Sequence, residues 1–241
     1  MVDTYLLVGW KSIGVAVIDL AERAAQQLRL GSMVVIYDGD EREGEADLVV
    51  HAQNAEPKTI ETLRRDAGGL ICLALDAGFA KALGLPFYTD ILEASNLPIR
   101  AMECTKTAYG DRPAFAIPIN HKGVYTGITD NDRSLTITKM AELAEEKNPA
   151  ESFMRDFYSP GHVFLLIGRG IENRHGHTEL SLELARRAGL SGAMVLCEML
   201  GSGKALSKKD AEEYARKRGL AFLEGKDMIA AGARTDGGDD I

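Results

Sequence analysis

The chain has 241 residues, of which 45% are hydrophobic and 27% charged, a composition that supports a buried core and excludes a disordered chain. Its formal net charge of -8 argues against a nonspecific nucleic-acid surface, which relies on clustered bases to neutralise phosphates. The three cysteines, Cys72, Cys104 and Cys197, lack paired metal-ligand spacing, so a disulfide framework or structural zinc site is not expected and a reducing, cytoplasmic setting is. In order along the chain, the apolar stretches "YLLVGW" and "IGVAVI" are broken by Lys11 and Ser12, so neither a signal peptide nor a membrane span is expected. Residues 19–31 follow as a helix with Leu20, Ala24 and Leu28 on one face, Asp19 as N-cap and Gly31 as stop. "SMVVIYD" and "ADLVVHA" read as strands flanking an acidic loop.

Pro57 opens a helix over 57–68, "GLICLAL" is a buried strand, and "DAGFAKALG" is a short helix. Residues 85–111 are rich in turn formers and are read as irregular. "AFAIPIN" and "VYTGIT" are predicted strands, "LTITKMAELAEE" a helix, "GHVFLLIG" a strand, and "TELSLELARRAG" a helix with Leu180, Leu184 and Ala188 on one face. "GAMVLCEML" is a strand, "SKKDAEEYARKRG" a helix capped by Ser207, and "LAFLEG" with "KDMIAAG" a last strand and helix. The alternation predicts one α/β domain over residues 1–241, with a mixed sheet flanked by helices and a polar tail at 234–241.

Several stretches carry groups capable of chemistry. "GDEREGEAD" holds Asp40, Glu41, Arg42, Glu43, Glu45 and Asp47; it reads either as a solvated acidic turn or as hard oxygen ligands for magnesium beside an anion-binding arginine. "RHGHT" either starts a helix or binds an anion through Arg174, Thr178 and free helix N–H groups. His175 and His177 face opposite ways on an extended backbone, so only one of them is expected at any metal. Glu198 in "VLCEML" is the most informative acid, since a carboxylate in so apolar a strand is costly unless paired or functional. Cys197 beside it faces the core. His162 fits a structural or an acid–base role, and Asp130, Asp132 and Arg133 in "TGITDNDR" fit capping or anion binding. "IGRGIE" and "GSGK" match no nucleotide motif.

Taken in order, "DGDEREGEADLVV", "GGLICLAL", "TAYG", "YTGITDNDRSLTI", "SPGHVFLL", "RHGHTELSLELARRAGL" and "VLCE" resemble the 3,4-dihydroxy-2-butanone 4-phosphate synthases of riboflavin biosynthesis, from about residue 30 to about 223. The resemblance implies a homodimer of mixed α/β fold acting on ribulose 5-phosphate with a pair of magnesium ions, manganese as a substitute, and no organic cofactor. It implies Glu43 and His177 as metal ligands, and Arg42, Asp47, Thr178 and Glu198 as contacts to the sugar phosphate. Arg174, His175, Gly176 and His177 belong to the stretch that holds the phosphate, and Thr126 and His162 fall in further family motifs with roles in the site or at the dimer interface. The family's "RENEGD" reads "REGEAD" here, with Gly44 and Ala46 replacing asparagine and glycine, which spares the charged positions and alters loop geometry. The segment over residues 1–20 has no family counterpart, and a zinc-binding GTP cyclohydrolase II domain is not expected, so the monofunctional form is.

The implied reaction converts ribulose 5-phosphate to 3,4-dihydroxy-2-butanone 4-phosphate and formate through enolisation, dehydration, a skeletal shift and loss of C4. Asp40, Glu45 and Glu198 are candidate general bases, and His162 a candidate acid or base. Two other readings compete: another metal-dependent sugar-phosphate enzyme, which would release no formate, and an inactive dimeric relative, which would not need the intact Arg42, Glu43, His177 and Glu198.

Overall fold

Adjacent residues of the strands belong to different packing clusters, which sets the architecture. Val35, Leu48, Leu73 and Val195 pack into one cluster, while Val34, Val49, Cys72 and Met194 pack into another. Side chains on a strand alternate between faces, so the sheet is buried on both sides. The computed structural model describes residues 19–102 and 107–232. Cys104 and the stretches at 1–18 and 233–241 lie outside these residues.

The sheet is built from β1 (Val34–Tyr37), β2 (Ala46–His51), β3 (Cys72–Leu75), β4 (Phe115–His121), β5 (Phe157–Ile167), β6 (Ala193–Glu198) and β7 (Phe222–Glu224), in the order β4-β5-β3-β6-β2-β1-β7. It is mixed: β3 runs parallel to β5 and β1 to β7, whereas β1/β2, β2/β6, β3/β6 and β4/β5 are antiparallel. The second cluster joins one face to α1 (Leu20–Arg29), α7 (His177–Ala188) and α9 (Gly225–Gly232). On the other face lie α2 (Pro57–Thr62), α3 (Ala77–Ala82), α5 (Asp130–Leu143) and α8 (Lys208–Arg218). The predicted α/β class with a mixed sheet and flanking helices is therefore what the described residues form.

Local chemistry sets the ends of these elements. Asp19 accepts the Ala21 N–H at the start of α1, Ser207 accepts the Asp210 N–H at the start of α8, and Pro57 begins α2, all at the predicted positions. β3 is shorter than "GLICLAL" because Glu198 takes two of the preceding N–H groups, that of Gly69 on its carbonyl and that of Leu70 on its carboxylate.

Three expectations need correction. "VYTGIT" is not a strand but a looped turn: the Asp132 carboxylate accepts the N–H groups of Tyr125, Thr126 and Gly127, at 3.2, 3.2 and 2.9 Å, which a sheet ladder would otherwise use. Asp130 and Asp132 do not precede a helix but lie in the first turn of α5, with Thr129 as N-cap. Residues 85–111 are not wholly irregular, since α4 (Tyr88–Ala94) forms there, and α6 (Pro149–Asp156) is a further helix started by Pro149.

Packing on α7 sets where His177, its first residue, is held. Leu184, two turns along and fully buried, anchors the helix to the sheet. Leu184→Ala is expected to lower the unfolding free energy by about 2–5 kcal/mol, through lost apolar burial and a residual cavity. Urea denaturation measures this, and a loss below about 1 kcal/mol would show that α7 is not anchored there.

Candidate active and metal site

Asp47 and Glu198 are direct cross-strand partners in the β2/β6 register, and both point to the face covered by α7. β1 ends beside them at Tyr37, so the acidic loop 38–45 crosses the start of α7. Buried Asp38 shapes that loop, its two carboxylate oxygens accepting the N–H groups of Glu43 and Glu45, each at 3.1 Å.

His177 meets the loop from the other side. Its Nε2 lies 3.1 Å from the Glu45 carbonyl oxygen and 3.7 Å from Asp47 Oδ1. A carbonyl only accepts, so Nε2 carries a proton, and Nδ1, 3.9 Å from Glu43 Oε2, is the nitrogen that can offer a lone pair to a cation once it is deprotonated. Ligand atoms of Asp38, Glu43 and His177 all lie within 4.8 Å of one another. Two carboxylates and one imidazole suit a hard or borderline divalent cation, and the absence of a thiolate from this trio disfavours a structural zinc site. Burial disfavours the imidazolium of His177, but Asp47, Asp38 and Glu43 outweigh it and raise its pKa above the ordinary value. A cation here would therefore displace a proton.

Arginines face these acids. Arg42 Nη1 donates to Asp111 Oδ2 at 2.7 Å, and its guanidinium lies over the Tyr109 ring. Arg174 approaches the same Asp111 oxygen with Nε at 3.1 Å, so one carboxylate sits between two cationic forks. A cavity of about 260 Å³ opens here, lined by Glu43, Asp47, Cys72, Arg174, His177, Thr178 and Glu198 among others. Four buried polar atoms at or beside it have no hydrogen-bond partner: Arg42 Nη2, Arg174 Nε, Asp47 Oδ1 and Thr107 Oγ1, the first three having only ion-pair neighbours. Orphaned donors and an orphaned acceptor at one cavity fit a ligand bearing both anionic and hydroxyl groups. Burial, reinforced by Glu198, Glu43 and Glu45 and opposed by His177, pushes the Asp47 carboxyl up to about 7. Glu45 is also raised, by burial and by Glu43.

The fold thus gathers Arg42, Glu43, Glu45, Asp47, Arg174, Gly176, His177, Thr178 and Glu198 at one place. Others of the expected residues lie elsewhere. Asp40 is exposed and accepts the Tyr37 hydroxyl. His175 lines a separate cavity of about 860 Å³ behind α7. Thr126 bonds Asp132, and His162 is exposed and lies 3.1 Å from the Asn120 amide; neither lines the cavity described above. Asp38, Cys72, Tyr109 and Asp111 are at the site without having been anticipated there. Asp38 had a signal, an acid closing an apolar strand directly before the acidic loop. Cys72 was read only as a buried thiol, which it is; burial and nearby Glu198 and Asp47 raise its pKa well above the usual value.

A family model for 3,4-dihydroxy-2-butanone 4-phosphate synthase matches residues 22–231. The chain belongs to this family. It is 44% identical over 220 residues to the 3,4-dihydroxy-2-butanone 4-phosphate synthase of Methanosarcina mazei, covering 87% of this chain and 89% of that one. The synthase of Methanothermobacter thermautotrophicus is 40% identical, with 88% and 96% covered. Among solved structures, a 3,4-dihydroxy-2-butanone 4-phosphate synthase in complex with two magnesium ions superposes with a TM-score of 0.73 at 29% identity, over 90% of this chain and 97% of that one. The chain is accordingly an enzyme of the synthase family.

Asp47 offers a direct test of the site's electrostatics. Its raised pKa means that its contribution to stability is present at low pH and is lost as pH rises through about 7. In metal-free protein the Asp47 carboxyl carbon, assigned by comparison with Asp47→Asn, is expected to titrate with a midpoint of about 7, and added magnesium to lower it. A midpoint of about 4 without metal would mean that the carboxylate is solvated or already paired.

Proposed function

We propose that the chain converts D-ribulose 5-phosphate to L-3,4-dihydroxy-2-butanone 4-phosphate and formate, as a step of riboflavin biosynthesis. The observation that carries this reading is a cavity lined by Glu43, Asp47, Arg174 and His177, with Arg42 and Asp38 beside it, where arginine donors and a buried carboxylate oxygen lack hydrogen-bond partners next to a carboxylate–imidazole trio. The substrate offers a matching set: a phosphate dianion at one end, and a ketone with neighbouring hydroxyls at the other.

Within this reading Arg42 and Arg174 bind the phosphate, which takes the place of the Asp111 carboxylate between them. Thr178 and the first N–H groups of α7 add donors to the same anion. Asp38, Glu43 and His177 would hold a divalent cation, with magnesium the natural occupant, manganese a substitute and a second ion expected beside it. Such a cation supplies Lewis-acid stabilisation of negative charge on the sugar oxygens.

The remaining chemistry falls to side chains. Glu198, fixed by the Leu70 N–H at 2.8 Å, faces the cavity as an ionisable group and serves as the acid–base residue for the sugar carbons. Asp47, with a carboxyl poised at about 7, can hold a substrate hydroxyl in either protonation state and return a proton as charge moves between oxygens. Removal of the C1 proton gives an enediol, and loss of the C3 hydroxyl as water gives a diketone after tautomerisation. A 1,2-shift of the skeleton follows, and hydration with C–C cleavage releases the original C4 as formate.

The reading extends to a cytoplasmic homodimer. Tyr125 and Ile128 are exposed on the turn that carries Thr126, and Tyr158 is exposed beside Asn120 and His162; this supports a contact between subunits there.

Proton NMR of purified protein with ribulose 5-phosphate and magnesium tests the reaction. Formate should accumulate, cease with EDTA and return with magnesium. Glu198→Gln should reduce the rate by roughly 10²-fold or more while leaving the melting temperature close to that of the parent. Consumption of the pentulose phosphate without formate, or full turnover in metal-free buffer, would overturn the assignment. Near-normal turnover of Glu198→Gln with a lowered melting temperature would remove Glu198 from the chemistry.

A further inference from the structure

Glu179 lies in the first turn of α7, and its carboxylate is wholly inaccessible. Isolated burial of a carboxylate is costly, and two contacts offset it. Its Oε2 accepts from Arg174 Nη1 at 2.6 Å, and its Oε1 accepts the Arg169 backbone N–H at 3.1 Å. Glu179 itself does not line the cavity that holds Glu43, Asp47 and Glu198, whereas Arg174 does.

The consequence lies in which edge of Arg174 is left over. A guanidinium binds an oxyanion best through two N–H groups on one edge. With Nη1 tied to Glu179, the Nε/Nη2 edge of Arg174 faces the site, where Nε lies 3.1 Å from Asp111 Oδ2 and Nη2 lies 4.0 Å from Glu43 Oε1. Nε is buried and makes no well-aligned hydrogen bond, its ion pair with Asp111 aside, so this edge is aimed at the site with hydrogen-bonding capacity left over. Gly176 completes the clamp: a Cβ there would overlap Arg174 Nη1, so a larger residue would shift the fork from its present place.

Glu179 also links this fork to the loop carrying Asp111. It fixes the backbone of Arg169, whose guanidinium donates to the carbonyls of Arg112 and Pro113 at 3.0 and 2.8 Å and stacks on Phe87. Neutralising a buried arginine does not by itself require an acid, since a well-packed apolar pair does as well. An acid that holds one chosen nitrogen does something an apolar pair does not, which is to set orientation.

We propose that Glu179 is a positioning residue that orients the Arg174 fork toward the phosphate of the substrate, an inference that rests on the sugar-phosphate reading above. In Glu179→Gln the charge is lost and the amide places a donor against either Arg174 Nη1 or the Arg169 N–H, so one contact breaks and the hold on the fork weakens while side-chain volume is kept.

The test uses the magnesium-loaded full chain with two readouts, steady-state turnover of ribulose 5-phosphate and calorimetric binding of inorganic phosphate. Glu179→Gln should raise both KM and the phosphate Kd by about tenfold. Its kcat should stay within about threefold of the parent, because the lost interaction is with the non-reacting end. Arg174→Lys should show a similar rise, and the double variant should be no worse than Arg174→Lys alone. A merely structural role predicts instead a lowered melting temperature, unchanged phosphate Kd per folded molecule, and losses that add to those of Arg174→Lys; that pattern overturns the proposal. Should Glu179→Gln fail to fold, Gly176→Ala presses on the same Nη1 that Glu179 holds and must raise KM and the phosphate Kd, and normal values there overturn it equally. A parent that makes no formate, yet loses phosphate affinity in Glu179→Gln, would refute the reaction and retain the positioning role. A parent that makes formate, with Glu179→Gln normal in both readouts, would refute the positioning role alone.

Discussion

The contact between His177 Nε2 and the Glu45 carbonyl oxygen joins the start of α7 to the acidic loop, and the rest of the site follows from it. Because the carbonyl accepts from Nε2–H, the opposite ring nitrogen, toward Glu43, is the one a cation can claim by displacing its proton. Asp38 supplies the complementary constraint by gathering the Glu43 and Glu45 N–H groups, so the loop cannot turn its carboxylates outward without losing both bonds. These are short-range interactions between elements already fixed by the two-faced core.

Charge explains why such a site is not self-sufficient. Asp38, Glu43, Asp47 and Glu198 converge where Arg42 and Arg174 are the opposing cations, and both arginines are shared with Asp111. The surplus is visible in Asp47, whose carboxyl is pushed up to about 7 by burial and by neighbouring acids while one of its oxygens lacks a hydrogen-bond partner. A divalent cation relieves that repulsion, and a substrate hydroxyl satisfies that oxygen. Stability is surrendered locally so that ligand binding can recover it.

Much of this was legible in the sequence. Helix and strand order came from periodicity and caps, and Glu198 stood out because an acid in "VLCEML" has no bland explanation. What escaped was decided by interactions between distant segments or by side chains competing with the backbone. "VYTGIT" has strand composition, yet Asp132 captures its N–H groups. Asp40 and Glu45 are equally acidic on paper, but Asp40 is exposed to solvent and accepts the Tyr37 hydroxyl. Tyr109 and Asp111 sit in a stretch without periodicity, where only tertiary contact with Arg42 and Arg174 reveals them. His175 and His177 are separated by Gly176, whose extended backbone sends them to different cavities.

The claim that His177 and the acidic loop share one cation can be tested at the ligand atom itself. Electron spin echo envelope modulation of the manganese-loaded protein should show a directly coordinated imidazole nitrogen, and that signal should vanish in His177→Gln while manganese binding weakens. Tight manganese binding without nitrogen modulation, unchanged in both His177→Gln and Glu43→Gln, would place the cation elsewhere and contradict the account.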